Sequence, residues 1–261
     1  MPNRQLQTVA ICLAMSLPGV VATANDDVPA ISRNELEQIV LRDVHGGEHT
    51  LAEIPDDQQI VLVFLGAECP LVKLYLPRLE VLRQRLQSQH VTFWGVDSNR
   101  QDTLEELARL GRESMLTMPL LKDPGNRLAD LVGAERTPEV VVLDRDRSVR
   151  YRGRIDDQYG VGYQRPRAER DDLAMALEEL AEGVPVSVPR TEAPGCLICR
   201  ETEPAASADV TWAEHIAPLF QEHCQECHRP GQLASLELLD YADVVGWGPT
   251  IREVVENRRM P

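Results

Sequence analysis

Short, uninterrupted apolar runs separated by helix-period segments constrain this chain more than any other feature. The stretch IVLVFL (60–65) contains no polar residue, and VTFWGV (91–96) almost none. A strand that is apolar at every position is buried on both faces, so it needs packed layers above and below it. Between the two runs, Leu76, Leu79, Leu82 and Leu86 recur at helical spacing, which predicts a helix over 76–86. A second helix is predicted over 102–110 with Asp102 as its N-cap, and a short third one over 126–132 that ends at Gly133. IVLRDV (39–44) reads as an opening strand stopped by Gly46-Gly47. EVVVLD (139–144) and VRYRGRI (149–155) read as a hairpin around Asp146, and 171–180 as a closing helix that ends near Gly183. This order predicts an α/β sheet with helices on both faces over 34–190.

The ends of the chain carry different messages. Residues 1–24 hold one charge, Arg4, then the apolar run TVAICLAMSLPGVVA and the small residues Ala22-Thr23-Ala24. That is the pattern of a secretory signal, so the mature chain is expected to start near Asn25, with Cys12 discarded and the protein exported to a bacterial periplasm or beyond. The run is too short to span a bilayer, so no stable membrane span is expected. A formal net charge of −15 argues against nucleic acid and anionic membrane surfaces, which both require clustered Lys and Arg. Residues 191–208 are rich in Pro, Ala, Ser and Glu and read as a linker that contains GCLIC. Residues 209–261 form a second segment, small enough to be marginal alone. Gly-Val-Gly-Tyr (160–163) is a glycine-containing loop without a phosphate-binding pattern.

Beyond the leader stand Cys69, Cys196, Cys199, Cys224 and Cys227. An odd count with two C-x-x-C pairs points to redox or cofactor chemistry rather than a disulfide scaffold. Cys224-Gln225-Glu226-Cys227-His228 is the c-type haem attachment pattern: two thiols for thioether bonds to one porphyrin, and a histidine to reach the iron. Covalent haem c is therefore expected on Cys224, Cys227 and His228. The preceding TWAEHIAPLFQEH is predicted as a helix with Ile216, Leu219 and Phe220 toward the porphyrin. Met260 is the candidate sixth iron ligand. His215 and His223 are its rivals, and both lie on the attachment helix. The alternative cofactor is zinc on Cys196, Cys199, Cys224 and Cys227, with a long middle spacer. For GCLIC a self-contained linker disulfide is a further alternative.

Cys69 follows the strand and opens the helix, where unpaired N–H groups and the helix dipole favour a thiolate; Lys73, one turn on, is expected to add positive charge. The block 34–190 resembles the thioredoxin-like redoxin family, which includes peroxiredoxins and exported thiol–disulfide proteins. The matching residues are the end of the strand, Phe64-Leu65, then Cys69-Pro70, and Thr137-Pro138 before EVVVLD. The resemblance implies a thioredoxin-like fold, a cis bond at Thr137-Pro138 beside Cys69, and Arg136 steadying the thiolate. Three positions depart from the family's patterns. Val72 stands where a dithiol enzyme has its second cysteine, Gly66 where a peroxiredoxin has Thr or Ser, and Lys73 breaks the C-x-x-x-C of copper chaperones. Cys69 therefore has no local partner, and Cys196 or Cys199 on a mobile linker is expected to resolve it. The tail from Val210 resembles the small all-α cytochrome c-like segment appended to some exported redoxins. Those continue past Met-Pro with another helix, so this segment is expected to be incomplete. The implied function is a thiol-based oxidoreductase acting on a disulfide or peroxide, coupled to a c-type haem segment that exchanges electrons with a partner protein. The alternatives are a non-enzymatic c-type electron carrier with an inert redoxin module, and a structural zinc protein.

Overall fold

The computed structural model describes residues 31–200, 209–234 and 236–260. The predicted leader, with Cys12, and the middle of the predicted linker, 201–208, lie outside the described residues. The described chain opens with α1 (Arg33–Glu37) and the hairpin β1 (Val40–Asp43) and β2 (Glu48–Thr50). Then come β3 (Gln59–Leu65), α2 (Pro70–Leu86), β4 (Val91–Asp97), α3 (Leu104–Glu113), β5 (Leu120–Lys122) and α4 (Arg127–Val132). After β6 (Arg136–Thr137) the chain forms β7 (Glu139–Leu143), β8 (Val149–Gly153), a small hairpin β9 (Tyr159–Gly160) and β10 (Tyr163–Gln164), and α5 (Asp172–Ala181). Among the described residues the main sheet runs β2-β1-β5-β4-β3-β7-β8. β3, β4 and β5 are parallel, while β1, β7 and β8 join antiparallel. This mixed sheet between two helical layers is a thioredoxin-like α/β fold, as the sequence implied.

The uninterrupted apolar run of β3 is buried throughout, and its alternation divides the core in two. Val61, Val63 and Leu65 face Val72, Leu76 and Leu79 of α2 and Leu173 of α5. Ile60, Leu62 and Phe64 face Leu36 of α1 and Leu128 and Val132 of α4. The hairpin at 139–155 and the short helix ending at Gly133 form as expected, with Gly133 left-handed at φ 72°.

Several elements differ from the sequence expectation. α2 begins six residues before the apolar period at 76–86, at the opening expected from Cys69, because Pro70 at the first helical position lets Cys69 serve as N-cap. The cap of α3 is Thr103 rather than Asp102. Glu106 N–H donates to the Thr103 hydroxyl at 3.2 Å and the Glu106 carboxylate accepts from Thr103 N–H at 2.8 Å. β2 and β5 are three-residue strands, too short to show a period. Residues 160–163 form the tip of the β9–β10 hairpin.

The described part of the predicted linker is not mobile chain. Cys196–Leu197 forms β11, paired antiparallel with β6. The last segment is helical: a π turn at Trp212–Ile216, then α6 (Ala217–His223), α7 (Tyr241–Val245) and α8 (Gly248–Glu256). Its Phe220, Leu238, Val244 and Trp247 join the same apolar cluster as α2 and α5, so this segment packs on the sheet domain. Among the described residues no helix is long and apolar enough to cross a membrane.

Candidate thiol site and the C-x-x-C-H segment

β3 carries the chain to a tight loop in front of α2. Cys69 N–H donates to the Gly66 carbonyl at 3.1 Å, and Ala67 N–H donates to Asp102 Oδ2 at 2.8 Å. A Cβ on Gly66 would stand 3.0 Å from Asn99 Nδ2 and 3.2 Å from Thr137 Oγ1, so the position given to Thr or Ser in peroxiredoxins has little room here. The Cys69 side chain is 1% exposed. The Thr137-Pro138 bond is cis, as the resemblance implied, and the Cys69 thiol donates to the Thr137 carbonyl at 3.2 Å.

The second sulfur at this site belongs to Cys196, 3.5 Å from Cys69 Sγ. Strand pairing puts it there. In the β6–β11 register Cys196 stands opposite Thr137 and Leu197 opposite Arg136, and Ile198 N–H extends the ladder to the Glu135 carbonyl at 2.9 Å. Gly195 permits the approach: its φ is +121°, and a Cβ there would lie 2.2 Å from the Thr137 carbonyl oxygen. Cys199 is not at the site's sulfur pair. It is buried, its N–H donating to Asn99 Oδ1 at 3.0 Å and its carbonyl accepting from Arg100 N–H at 2.9 Å. Of the two resolving candidates, Cys196 faces Cys69 and Cys199 does not. The Cys196 thiol is directed at Cys69, and Cys196 and Cys199 are both free thiols, so the two are not joined as a linker disulfide in this structure.

The electrostatics single out Cys69 as the thiolate. Its pKa falls to about 6, first through the hydrogen bond from the Cys196 thiol, then through the Val72 and Leu71 N–H groups at the helix start and the Thr137 side chain, against the opposing effect of burial. The same contact and burial push Cys196 upward. Burial also raises Cys199. The expected cationic help is absent. Lys73 pairs with Glu68 at 2.8 Å. Arg136 grips Glu253 of α8 with two bonds of 3.0 and 2.7 Å and donates to the Gly195 carbonyl at 3.0 Å, and its charge acts on Cys196.

The last segment closes the site. Gly246 and Trp247 complete a cleft around Cys69, Cys196, Asn99 and Thr137 that has no room for a water molecule. Leu197 N–H donates to Thr250 Oγ1 at 2.9 Å, and the Gln101 side chain packs so tightly on Gly246 that a Cβ would meet its Cγ at 2.3 Å. Asn99, Trp247, Thr250 and Glu253 carried no sequence signal, because each acts through a contact distant in sequence.

In the attachment pattern, Cys224 is half-buried and Cys227 exposed, and both are free thiols. His228 Nδ1 lies 2.8 Å from the Leu236 carbonyl, so it is the protonated nitrogen and Nε2 is left as the donor to a metal. This donor set fits a covalently held haem: two thiols and an oriented imidazole within five residues. Trp212 packs on Phe220 and on Tyr241, each at 5.6 Å between rings, while Leu219 and Leu233 remain exposed. The 212–223 run is a π turn followed by a helix, and of its predicted porphyrin face Phe220 is buried, Ile216 half-buried and Leu219 exposed. Met260 is 49% exposed, beyond α8. His215 accepts from Thr211 N–H at 3.1 Å and His223 is exposed, both helix-surface positions. The zinc set is not assembled. Cys196 lies on Cys69, and no three His, Cys, Asp or Glu among the described residues are grouped to hold a metal ion.

Residues 26–152 match the AhpC/TSA family, so the sheet domain is similar to the redoxin domains of that family. A hypothetical protein from Sinorhizobium meliloti is similar in structure, with 28% identity and a TM-score of 0.57, over 63% of this chain and 91% of that one. An uncharacterized conserved protein from Geobacillus kaustophilus is similar with 28% identity and a TM-score of 0.54, over 64% and 90%. No curated protein matches the sequence.

Proposed function

We propose that this protein is an exported thiol-based oxidoreductase in which Cys69 is the nucleophile and Cys196 the resolving thiol. The observation that carries the reading is the 3.5 Å approach of the two sulfurs beside Thr137-Pro138. The substrates implied for a redoxin are a disulfide or a hydroperoxide. With a disulfide, the Cys69 thiolate attacks one substrate sulfur, the other leaves as thiolate, and a mixed disulfide forms. With a hydroperoxide, the O–O bond breaks, Cys69 becomes a sulfenic acid, and an alcohol or water leaves. Cys196 then gives up its proton and attacks the Cys69 sulfur, expelling the second substrate thiol or water. The product is a Cys69–Cys196 disulfide, two electrons having passed to the substrate; an external reductant must return them.

Cys224, Cys227 and His228 Nε2 would hold haem c, and Met260 is the candidate further ligand to its iron. When bound, haem supplies one-electron redox chemistry toward a partner protein. The residues of this chain fix the imidazole through the Leu236 carbonyl and offer Phe220, Leu238 and Val244 as an apolar bed. Mild peroxide treatment followed by a non-reduced peptide map tests the thiol reading. A Cys69–Cys196 peptide is the expected product. A map with only Cys196–Cys199 and an over-oxidised Cys69 overturns it.

A further inference from the structure

The loop between β4 and α3 connects the two cysteine-bearing segments through one side chain. The Asn99 amide is 3% exposed, and each of its ends is engaged. Nδ2 donates to the Leu65 carbonyl at 3.1 Å and to Asp102 Oδ2 at 3.2 Å, while Oδ1 accepts from Cys199 N–H at 3.0 Å. Asp102 in turn holds Ala67 N–H, two residues before Cys69. The neighbouring Arg100 N–H fixes the Cys199 carbonyl. The donor end of the amide thus grips the Cys69 loop and the acceptor end grips the strand that carries Cys196. A peptide ladder as short as β6–β11 has little hold by itself, since an isolated pairing of this size is marginal.

We propose that Asn99 is the positioning residue that keeps Cys196 in contact with Cys69. The proposal rests on the reading of these two thiols as nucleophile and resolving partner. It assigns the role of Cys199 to its backbone N–H, not to its thiol. The groups that face the sulfur pair are Asp102 and Glu68 from the cleft wall, and Arg136 with Glu253 on the Cys196 side. None of these changes in the test below.

Four variants test the tether: Asn99→Ala, Asn99→Asp, Cys199→Pro and Cys199→Ala. Asn99→Asp keeps the acceptor for Cys199 but turns the donor end into a carboxylate oxygen against Asp102 and the Leu65 carbonyl. Cys199→Pro removes the N–H at the other end of the tether together with the thiol, and Cys199→Ala removes the thiol alone, so the difference between the two reads the N–H. After a peroxide pulse, the first three are expected to form the Cys69–Cys196 disulfide about tenfold or more slowly, as misplacement by an ångström commonly does. The Cys69 alkylation midpoints of Asn99→Ala and Cys199→Pro, which add no charge, should also rise from about 6 toward the free-cysteine value of about 8.5. Cys199→Ala should match the unaltered chain in both readouts. A merely structural defect would lower the melting temperature and leave the alkylation midpoint unchanged, and that result overturns the proposal. So does a Cys199→Ala variant as slow as Cys199→Pro, since the thiol would then be the working part. If Asn99→Ala does not fold, Cys199→Pro, altered outside the sheet domain's core strands, decides between the two outcomes. If the unaltered chain forms no Cys69–Cys196 disulfide at all, the functional reading fails by itself, and the alkylation midpoints still decide the tether.

Discussion

Replacing Cys196 by alanine separates the two things this thiol does at the site. It is the largest cause of the low Cys69 pKa of about 6, so its loss should move the midpoint upward. The helix-start N–H groups of Leu71 and Val72 remain, so the new midpoint is expected between about 6 and the free value of about 8.5. At pH 7 the thiolate fraction would fall from about nine-tenths to as little as about 3% at the upper limit. A thiolate of higher pKa is also a better nucleophile, by roughly tenfold over that range for a Brønsted slope of about 0.4–0.5. The two effects nearly cancel, leaving only about a two- to threefold drop in rate at pH 7. A single-pH rate is therefore a poor assay. The pH profile of Cys69 alkylation by a small haloacetamide, followed by mass spectrometry of the Cys69 peptide, reads the midpoint directly. Cys196→Ser should keep most of the low midpoint, because a hydroxyl still donates a hydrogen bond, yet it should form no disulfide. An unmoved midpoint in Cys196→Ala would refute the reasoning. The helix start alone would then set the thiolate, and the sulfur contact would matter only for resolution.

Three further outcomes follow from the same contacts. Gly195→Ala forces a Cβ into the Thr137 carbonyl in a left-handed backbone region that costs about 1–2 kcal/mol for other residues. The Cys69–Cys196 peptide should be largely missing from its non-reduced map after oxidation, and an undiminished yield would mean that β11 docks without the close approach. Glu253→Ala removes the two-bond grip on Arg136, a largely buried pair of about 1 kcal/mol, so the alkylation plateau of Cys69 should rise about fivefold. High salt should raise the plateau of the unaltered chain and not that of the variant. Expressed with haem-attachment machinery, the protein should keep its red colour through acid-acetone extraction, and Cys224→Ala with Cys227→Ala should lose it; colour that extracts completely would end the covalent-haem reading.

The sheet domain was legible because its signals are local. The apolar run of β3, the helix period of α2 and the Cys69-Pro70 and Thr137-Pro138 pairs each reside within a few residues, and the backbone follows them. The cap of α3 was also legible, since Thr103 and Glu106 have capping-box spacing, but the nearby Asp102 drew the assignment. Charges near Cys69 misled for a different reason. Lys73 and Arg136 are close to the thiol in sequence or by family likeness, yet each satisfies its charge on a carboxylate, Glu68 and Glu253. A pairing 117 positions apart, as for Arg136 and Glu253, leaves no trace in a linear pattern. The choice between Cys196 and Cys199 was likewise open, because it depends on which residue of GCLIC faces Thr137 in a strand register that composition does not encode.

That register changes how resolution of an oxidised Cys69 is to be understood. A thiol on a flexible tether finds its target by search, at an effective concentration on the order of millimolar. Here the search is already over: Gly195, the β6 ladder and the Asn99 amide hold Cys196 at 3.5 Å. The same docking covers the edge of β6, and Trp247 with α8 then covers the docked strand through Thr250 and Glu253. A site with no room for water cannot admit a substrate as it stands. The chemical steps between the two sulfurs need almost no motion, whereas every encounter with an outside molecule needs the last segment to move. Substrate access and re-reduction, not resolution, are therefore the steps that a change in the Arg136–Glu253 grip should alter.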